Sequence, residues 1–223
     1  MKNSFYYLLI LSVFINSCSS SDTNKKNEIT INSSKTSIDS HPNKNALKKA
    51  FKEWESIMIN NSYHDYVTNK DCENLPKMNV LYDNGKYPMH SRNQYVMELK
   101  DSNVLKDYIL SYDLKNCVAG SGVSDDFIFI RISGVDSPEI LEDLTNDFKE
   151  KYSDFVESNL GYEFQKNSSS NFINTSGVEF LNFENDEIFG NINIPVSNAK
   201  KEKRGSFIYN LKTHKFLGNT RDN

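Results

Sequence analysis

No stretch of this sequence is both long enough and apolar enough to span a bilayer. Its main apolar run, residues 5–15, covers about 11 positions, where a spanning helix needs roughly 20. Positive charge is also scarce. The 26 Lys and Arg are outnumbered by 30 Asp and Glu, leaving a formal net charge of −4. A nucleic-acid surface is basic, and electrostatic attachment to anionic lipid needs clustered Lys and Arg, so neither is favoured as a partner. Several chemistry-bearing patterns are missing as well. Without GxxxxGK[ST] or GxGxxG there is no phosphate-cradling loop. The four histidines, His41, His64, His90 and His214, form neither HExxH nor HxxxH, so no helix face carries a zinc-binding pair. The carboxylate clusters lack the DxDxDG spacing of a calcium loop. Ser121 lies directly between Gly120 and Gly122 rather than in the GxSxG of a nucleophile elbow. The expectation is therefore no catalytic set, no metal site and no cofactor. Hydrophobic residues are only 37% of the chain, below the usual 45–50% or so. Aromatics compensate: 14 Phe and 12 Tyr can supply a core.

What is present begins at the N-terminus. Lys2 precedes the short apolar run, and the polar residues Ser19, Ser20, Ser21 and Asp22 follow it, so the start reads as a cleaved export signal. Within it, Ile15-Asn16-Ser17-Cys18 resembles the lipobox of bacterial lipoproteins: an aliphatic residue at −3, a small one at −1, then cysteine. That resemblance implies removal of residues 1–17, a diacylglyceryl thioether on Cys18, and acylation of its amine, with palmitate as a typical chain. Each buried CH₂ contributes roughly 0.8 kcal/mol, so two or three chains would hold the protein to a membrane. The expected location is the bacterial cell envelope, on the outer membrane of a Gram-negative cell. Loss of Lys2, the only charged side chain in residues 1–17, takes the net charge from −4 to −5.

The chain has three cysteines. With Cys18 lipidated, Cys72 and Cys117 form an even set in an oxidising compartment, which allows a disulfide; two buried thiols are the alternative. Their spacing excludes CxxC.

Residues 18–44 read as the lipidated cysteine and a disordered tether, too poor in large apolar residues to offset chain entropy. The folded domain is expected over 45–223. Residues 45–60 form the clearest helix, with Leu47, Ala50, Phe51, Trp54, Ile57 and Met58 at i, i+3, i+4, i+7 spacing. Asp83-Asn84-Gly85 marks a hairpin over 77–89, and Pro88 places its second arm at an edge. Residues 94–99 fit either strand or helix. Residues 102–114 look helical, with Val104, Leu105, Tyr108, Ile109 and Tyr112 on one side. Residues 127–132, FIFIRI, suit a central strand bounded by a turn at Asp125-Asp126. A helix is expected to start at Ser137-Pro138, capped by Ser137, and to stop at Gly161. The last third is β: strands over 178–183, 187–196 and 206–211, then a hairpin to Phe216. The fold class is α+β, with helices packed on one face of a mostly antiparallel sheet and a β-rich C-terminal third. In element order this is similar to the helix-then-curved-sheet arrangement of cystatin or NTF2 type.

The remaining motifs read as solvated surface. They are the adjacent pair His64-Asp65, the acidic cluster Glu184, Asp186 and Glu187, and the basic run Lys200, Lys201, Lys203 and Arg204. Ser176-Gly177-Val178-Glu179-Phe180 approximates the SGxxY loop of periplasmic lysozyme inhibitors, with Phe where that loop has Tyr. It would present a hydroxyl and an aromatic ring to an enzyme cleft. The functional expectation is a non-enzymatic binding, inhibitor or immunity-type lipoprotein with a protein partner. The alternatives are an envelope hydrolase with dispersed catalytic residues, and a structural subunit of an envelope complex.

Overall fold

Strand β4 (Val123–Ser133) lies between two apolar layers, and the alternation of its side chains explains the architecture. Ile128, Ile130 and Ile132 point to one face and Phe127 and Phe129 to the other, and all are buried. The computed structural model describes residues 35–61, 66–74, 88–101, 105–117, 123–134, 137–162, 175, 177–195 and 202–217. All belong to one unit, Ile31–Asn223. Within it are two antiparallel sheets. The first runs β1 (Thr36–Ser37), β2 (Met89–Asp101), β3 (Leu105–Asn116), β4, β5 (Pro138–Ile140); the second runs β6 (Val178–Glu184), β7 (Glu187–Pro195), β8 (Glu202–Asn210), β9 (Lys215–Leu217). The helices are α1 (Lys44–Asn61), α2 (Asn69–Asn74) and α3 (Glu142–Leu160). None of the described helices is long and apolar enough to cross a membrane.

Helix α1 covers one face of the first sheet. Leu47, Ala50, Phe51, Trp54 and Met58 pack there against Val96, Tyr108, Leu110, Tyr112 and Leu114. The opposite face, with Met97, Leu99, Ile109, Phe127 and Phe129, packs against α3 and the second sheet. Phe148 of α3 is the hub of that second core. Its ring lies 5.1 Å from Phe127, 4.6 Å from Tyr209 and 4.9 Å from Phe216. The α+β class holds, but the arrangement differs from one sheet with helices on a single face. Two sheets are present, and α1 and α3 lie on opposite sides of the first.

Three local expectations are corrected. Residues 105–116 form a strand, not a helix. Tyr108, Leu110, Tyr112 and Leu114 face α1 while Ile109 is buried on the other side. A strand with both faces covered carries apolar residues in both parities, and this mimics helical spacing. Pro138 does not open a helix. It pairs with Ile132 in the edge strand β5, where its missing N–H is tolerated. Helix α3 begins four residues later, and its first turn closes the edge of β4. Leu141 N donates to Phe129 O at 2.9 Å, and Phe129 N donates to Thr145 Oγ1 at 3.1 Å. Finally, the fold starts before Asn45. Thr36 and Ser37 pair with Val96 and Tyr95, and Ile38 is 3% exposed in the α1 core. The expected tether thus contributes its last residues to the domain.

Other expectations match in outline. Gly161 ends α3 in the left-handed region (φ 57°), its N–H donating to Glu157 O, while residues 94–99, open between strand and helix in the sequence, fall within β2. The C-terminal strands form, with Asn185 and Asp186 both at positive φ in the two-residue β6–β7 turn, but β8 starts at Glu202 rather than 206, so Lys203 and Arg204 of the expected basic loop pair with Ile194 and Asn193 of β7. The hairpin expected at 77–89 lies outside the described residues except for its last two positions.

Candidate functional site

Among the described residues, a cleft of about 840 Å³ lies where three parts of the fold meet. The first sheet contributes Lys100, Asp107 and Arg131. The β5–α3 junction contributes Glu139, Glu142 and Asp143. The hairpin tips of the second sheet contribute Asn185, Asp186, Lys212 and His214. Apolar side chains, including Leu99, Leu144 and Phe183, line the space between them. A cleft of this size, apolar with a few convergent polar groups, is the usual form of a ligand site.

Four of its charged residues form two ion pairs. Asp107 and Arg131 are opposite each other in the β3–β4 register. Arg131 donates from Nε to Asp107 Oδ1 at 2.7 Å and from Nη2 to Oδ2 at 2.9 Å, a bidentate pair. These bonds raise the guanidinium pKa further. Asp186 pairs with Lys212 across the two hairpin tips. At the rim, Asp147 of α3 gathers three partners. His214 Nδ1 lies at 2.8 Å, Tyr209 donates its hydroxyl at 3.0 Å, and Lys151 Nζ lies at 2.6 Å. Burial alone would raise the Asp147 pKa, but the bonds from Lys151, His214 and Tyr209 outweigh it and hold the pKa below the ordinary carboxylate value. Burial, then the bond to Asp147, pushes the Tyr209 phenol up. His214 reaches this position because it ends the β8–β9 turn at φ 54°, while Asn210 Oδ1 accepts from Lys212 N and Thr213 N.

A second cluster is fully buried. Asp126 and Lys149 are each 2% exposed and form an ion pair at 2.7 Å. Tyr112 donates to Asp126 Oδ2 at 2.5 Å, and Trp54 Nε1 donates to the Tyr112 oxygen at 2.7 Å. The Lys149 ammonium also lies 5.3 Å from the Phe127 ring and 5.7 Å from Trp54. Burial drives the Lys149 pKa down against the pull of Asp126, and burial followed by Asp126 drives the Tyr112 pKa up. Asp126 was expected in a solvated turn; it lies in β4, facing the α1 core.

Cys72 and Cys117 are joined in a disulfide, with Cα atoms 5.5 Å apart. The bond fastens α2 to the end of the β2–β3 ladder. His90 of β2 sits beside it, and burial, then the charges of Arg92 and Lys115, lower the pKa of its ring. The other motifs are dispersed. Cys18, His64, Ser121 and Lys200 lie outside the described residues. His41 accepts a bond from Asn43 N and packs edge-on to Tyr108. Arg204 is an exposed residue of β8. Phe180 cannot be offered to an enzyme cleft: it is 2% exposed and packed against Phe127 and Phe207.

Sequence reading missed the cleft because its walls come from positions 99–100, 107, 131, 139–144, 183, 185–186, 211–212 and 214, which no local spacing connects. A weak signal existed for His214, a histidine in a polar hairpin turn. When compared with protein-family models, curated proteins and solved structures, the chain matched none of them.

Proposed function

We propose that this protein is a lipid-anchored binding protein of the bacterial cell envelope that recognises its partner through the cleft beside the α3 N-terminus. The observation that carries the reading is the state of the charged lining. Asp107–Arg131, Asp186–Lys212 and Asp147–His214 hold one another in place, so these parts of the cleft are preformed. Preorganisation of that kind favours recognition, because little side-chain freedom remains to be lost on binding. Glu139, Glu142 and Asp143 add an acidic wall, which suits a partner that inserts a basic or hydrogen-bonding segment. The partner is taken as protein, in line with an inhibitor or immunity-type role.

Two experiments test it. Cys18→Ala should abolish labelling by a fatty-acid probe and move the protein from the membrane to the soluble fraction; continued labelling removes the anchor from the reading. Cross-linking in intact cells should capture a partner with the wild type. Glu139→Lys with Asp143→Lys should lose it without shifting the unfolding midpoint. Undiminished capture would show that the cleft is not the recognition surface.

One observation favours a hydrolase as the second reading. The Asp147 carboxylate fixes His214 through Nδ1, the orientation a general base needs. Turnover of envelope esters or peptides that disappears in His214→Ala would establish that reading instead.

A further inference from the structure

The disulfide shares its surroundings with a third donor. His90 Nδ1 lies 3.1 Å from Cys72 Sγ and 3.7 Å from Cys117 Sγ, and the donor atoms of all three residues fall within 4.8 Å of one another. Each residue is also positioned independently of the S–S bond. Cys72 N donates to Thr68 O at 2.9 Å in α2, whose start is held by Asp71 N donating to Thr68 Oγ1. Cys117 N donates to Pro88 O at 2.8 Å, and His90 is registered opposite Lys115 in the β2–β3 ladder. Breaking the disulfide therefore leaves three soft or borderline donors converging on one point. Zn–S bonds of about 2.3 Å and Zn–N bonds of about 2.0–2.1 Å in a tetrahedron place sulfur and nitrogen about 3.5 Å apart. The two observed sulfur–nitrogen separations bracket that value. The half-cystines are partly accessible while His90 is 7% exposed, so the cluster has an entrance and a shielded interior.

We propose that Cys72, His90 and Cys117 form a redox-gated zinc site: the reduced pair binds one Zn²⁺ together with His90, and the disulfide is the metal-free state of the same residues. The chemistry balances through a dithiol reductant. Its two thiols transfer two electrons and two protons by thiol–disulfide exchange, becoming a disulfide as the Cys72–Cys117 bond opens to two thiols. Zn²⁺ then displaces both thiol protons, forming two Zn–S bonds and one bond to His90 Nδ1, with the fourth position left for water. An oxidising disulfide reverses the exchange and releases the ion. In the closed state neither sulfur is a thiolate, so metal uptake reports the redox state.

The test uses the full chain carrying Cys18→Ser, so that Cys72 and Cys117 are the only thiols. The phosphine-reduced and oxidised forms are titrated with Co²⁺, and then Zn²⁺ is added. The reduced form should bind one equivalent of Co²⁺ with thiolate-to-cobalt charge-transfer absorption that Zn²⁺ abolishes, and the oxidised form should show none. His90→Ala should weaken binding by at least the roughly 10–100-fold that even an outer-shell partner contributes. Absence of charge-transfer absorption in the reduced chain, the same absorption in the oxidised chain, or unchanged affinity in His90→Ala would each overturn the proposal. If circular dichroism shows that the reduced metal-free chain unfolds, restoration of the native spectrum by Zn²⁺ supports the site and failure to restore it overturns the site.

Discussion

Replacing Lys149 with Met isolates the energetic role of the buried ion pair. Methionine keeps most of the apolar stem, so the cavity left in the core is small and the main change is loss of the ammonium. What remains is Asp126, 2% exposed, with the Tyr112 hydroxyl donating to it at 2.5 Å. Breaking a buried pair by removing one partner typically costs about 3–5 kcal/mol. The total stability of a domain is only about 5–15 kcal/mol, so about a fifth of it or more is at stake. At about 2–4 °C per kcal/mol for a domain of 150–250 residues, the melting temperature should fall by about 6–20 °C. The assay is built into the fold. Trp54, the chain's only tryptophan, bonds Tyr112 and lies 5.7 Å from the Lys149 ammonium, so its fluorescence follows urea unfolding at the site itself. Asp126→Asn combined with Lys149→Met should cost less than Lys149→Met alone, because no unpaired charge is left inside. A Lys149→Met loss under about 1 kcal/mol at pH 7 would refute the assignment of Asp126–Lys149 as a coupled buried pair.

Three further outcomes are expected. Gly190→Ala should destabilise the domain by about 1–3 kcal/mol or more, because a Cβ there would run into the Phe207 ring and stand 2.7 Å from Glu179 O; a neutral urea midpoint would contradict the packing of β7 on β8. Asp125 faces Asp113 across the β3–β4 ladder, and burial followed by that like charge raises its pKa to about 6. Its folded pKa exceeds its unfolded value, so its contribution is favourable at low pH and lost as pH rises through 6. Asp125→Asn should then stabilise the domain at pH 7, by under about 1 kcal/mol because the side chain stays partly open to solvent, which screens the repulsion, and give no gain at pH 4; an equal effect at both pH values would contradict the repulsion. Cys72→Ser with Cys117→Ser opens a loop with a sequence separation of 45 and should cost up to about 4 kcal/mol in the chain-entropy model, read from chemical denaturation. Intact mass after alkylation without reductant should show no modified Cys72 or Cys117 in the parent chain, and two alkylated thiols would remove the bridge.

The arrangement also gives the buried pair a structural reason. Lys149 sits on the helix that closes the edge of β4, while Asp126 faces the core under α1. The pair therefore joins the two cores through the edge that β5, paired only with residues 130–132 of β4, leaves uncovered. A charged link of this kind specifies how α3 docks, since a slip of one residue in β4 would turn Asp126 to the wrong face.

Much of the domain's local structure was legible in the residues. The α1 stripe from Leu47 to Met58, the Gly161 stop and the C-terminal strands follow from spacing and turn chemistry, because each is decided by interactions a few residues apart. The Cys72–Cys117 bridge was expected for a different reason: if Cys18 carries lipid in an oxidising compartment, only these two cysteines remain to pair. Covering both faces of the first sheet was a tertiary decision. It turned residues 105–116 from an apparent helix into a strand and moved Asp126 from a solvated turn into the core. Pro138 entered an edge strand because β4 still had a short unpaired segment to satisfy. The cleft, the Asp147–His214 pair and the convergence of His90 on the disulfide depend on contacts between positions 18 to 67 residues apart. Such contacts leave no periodicity behind, because chain distance carries no record of which surfaces will meet once both cores have closed.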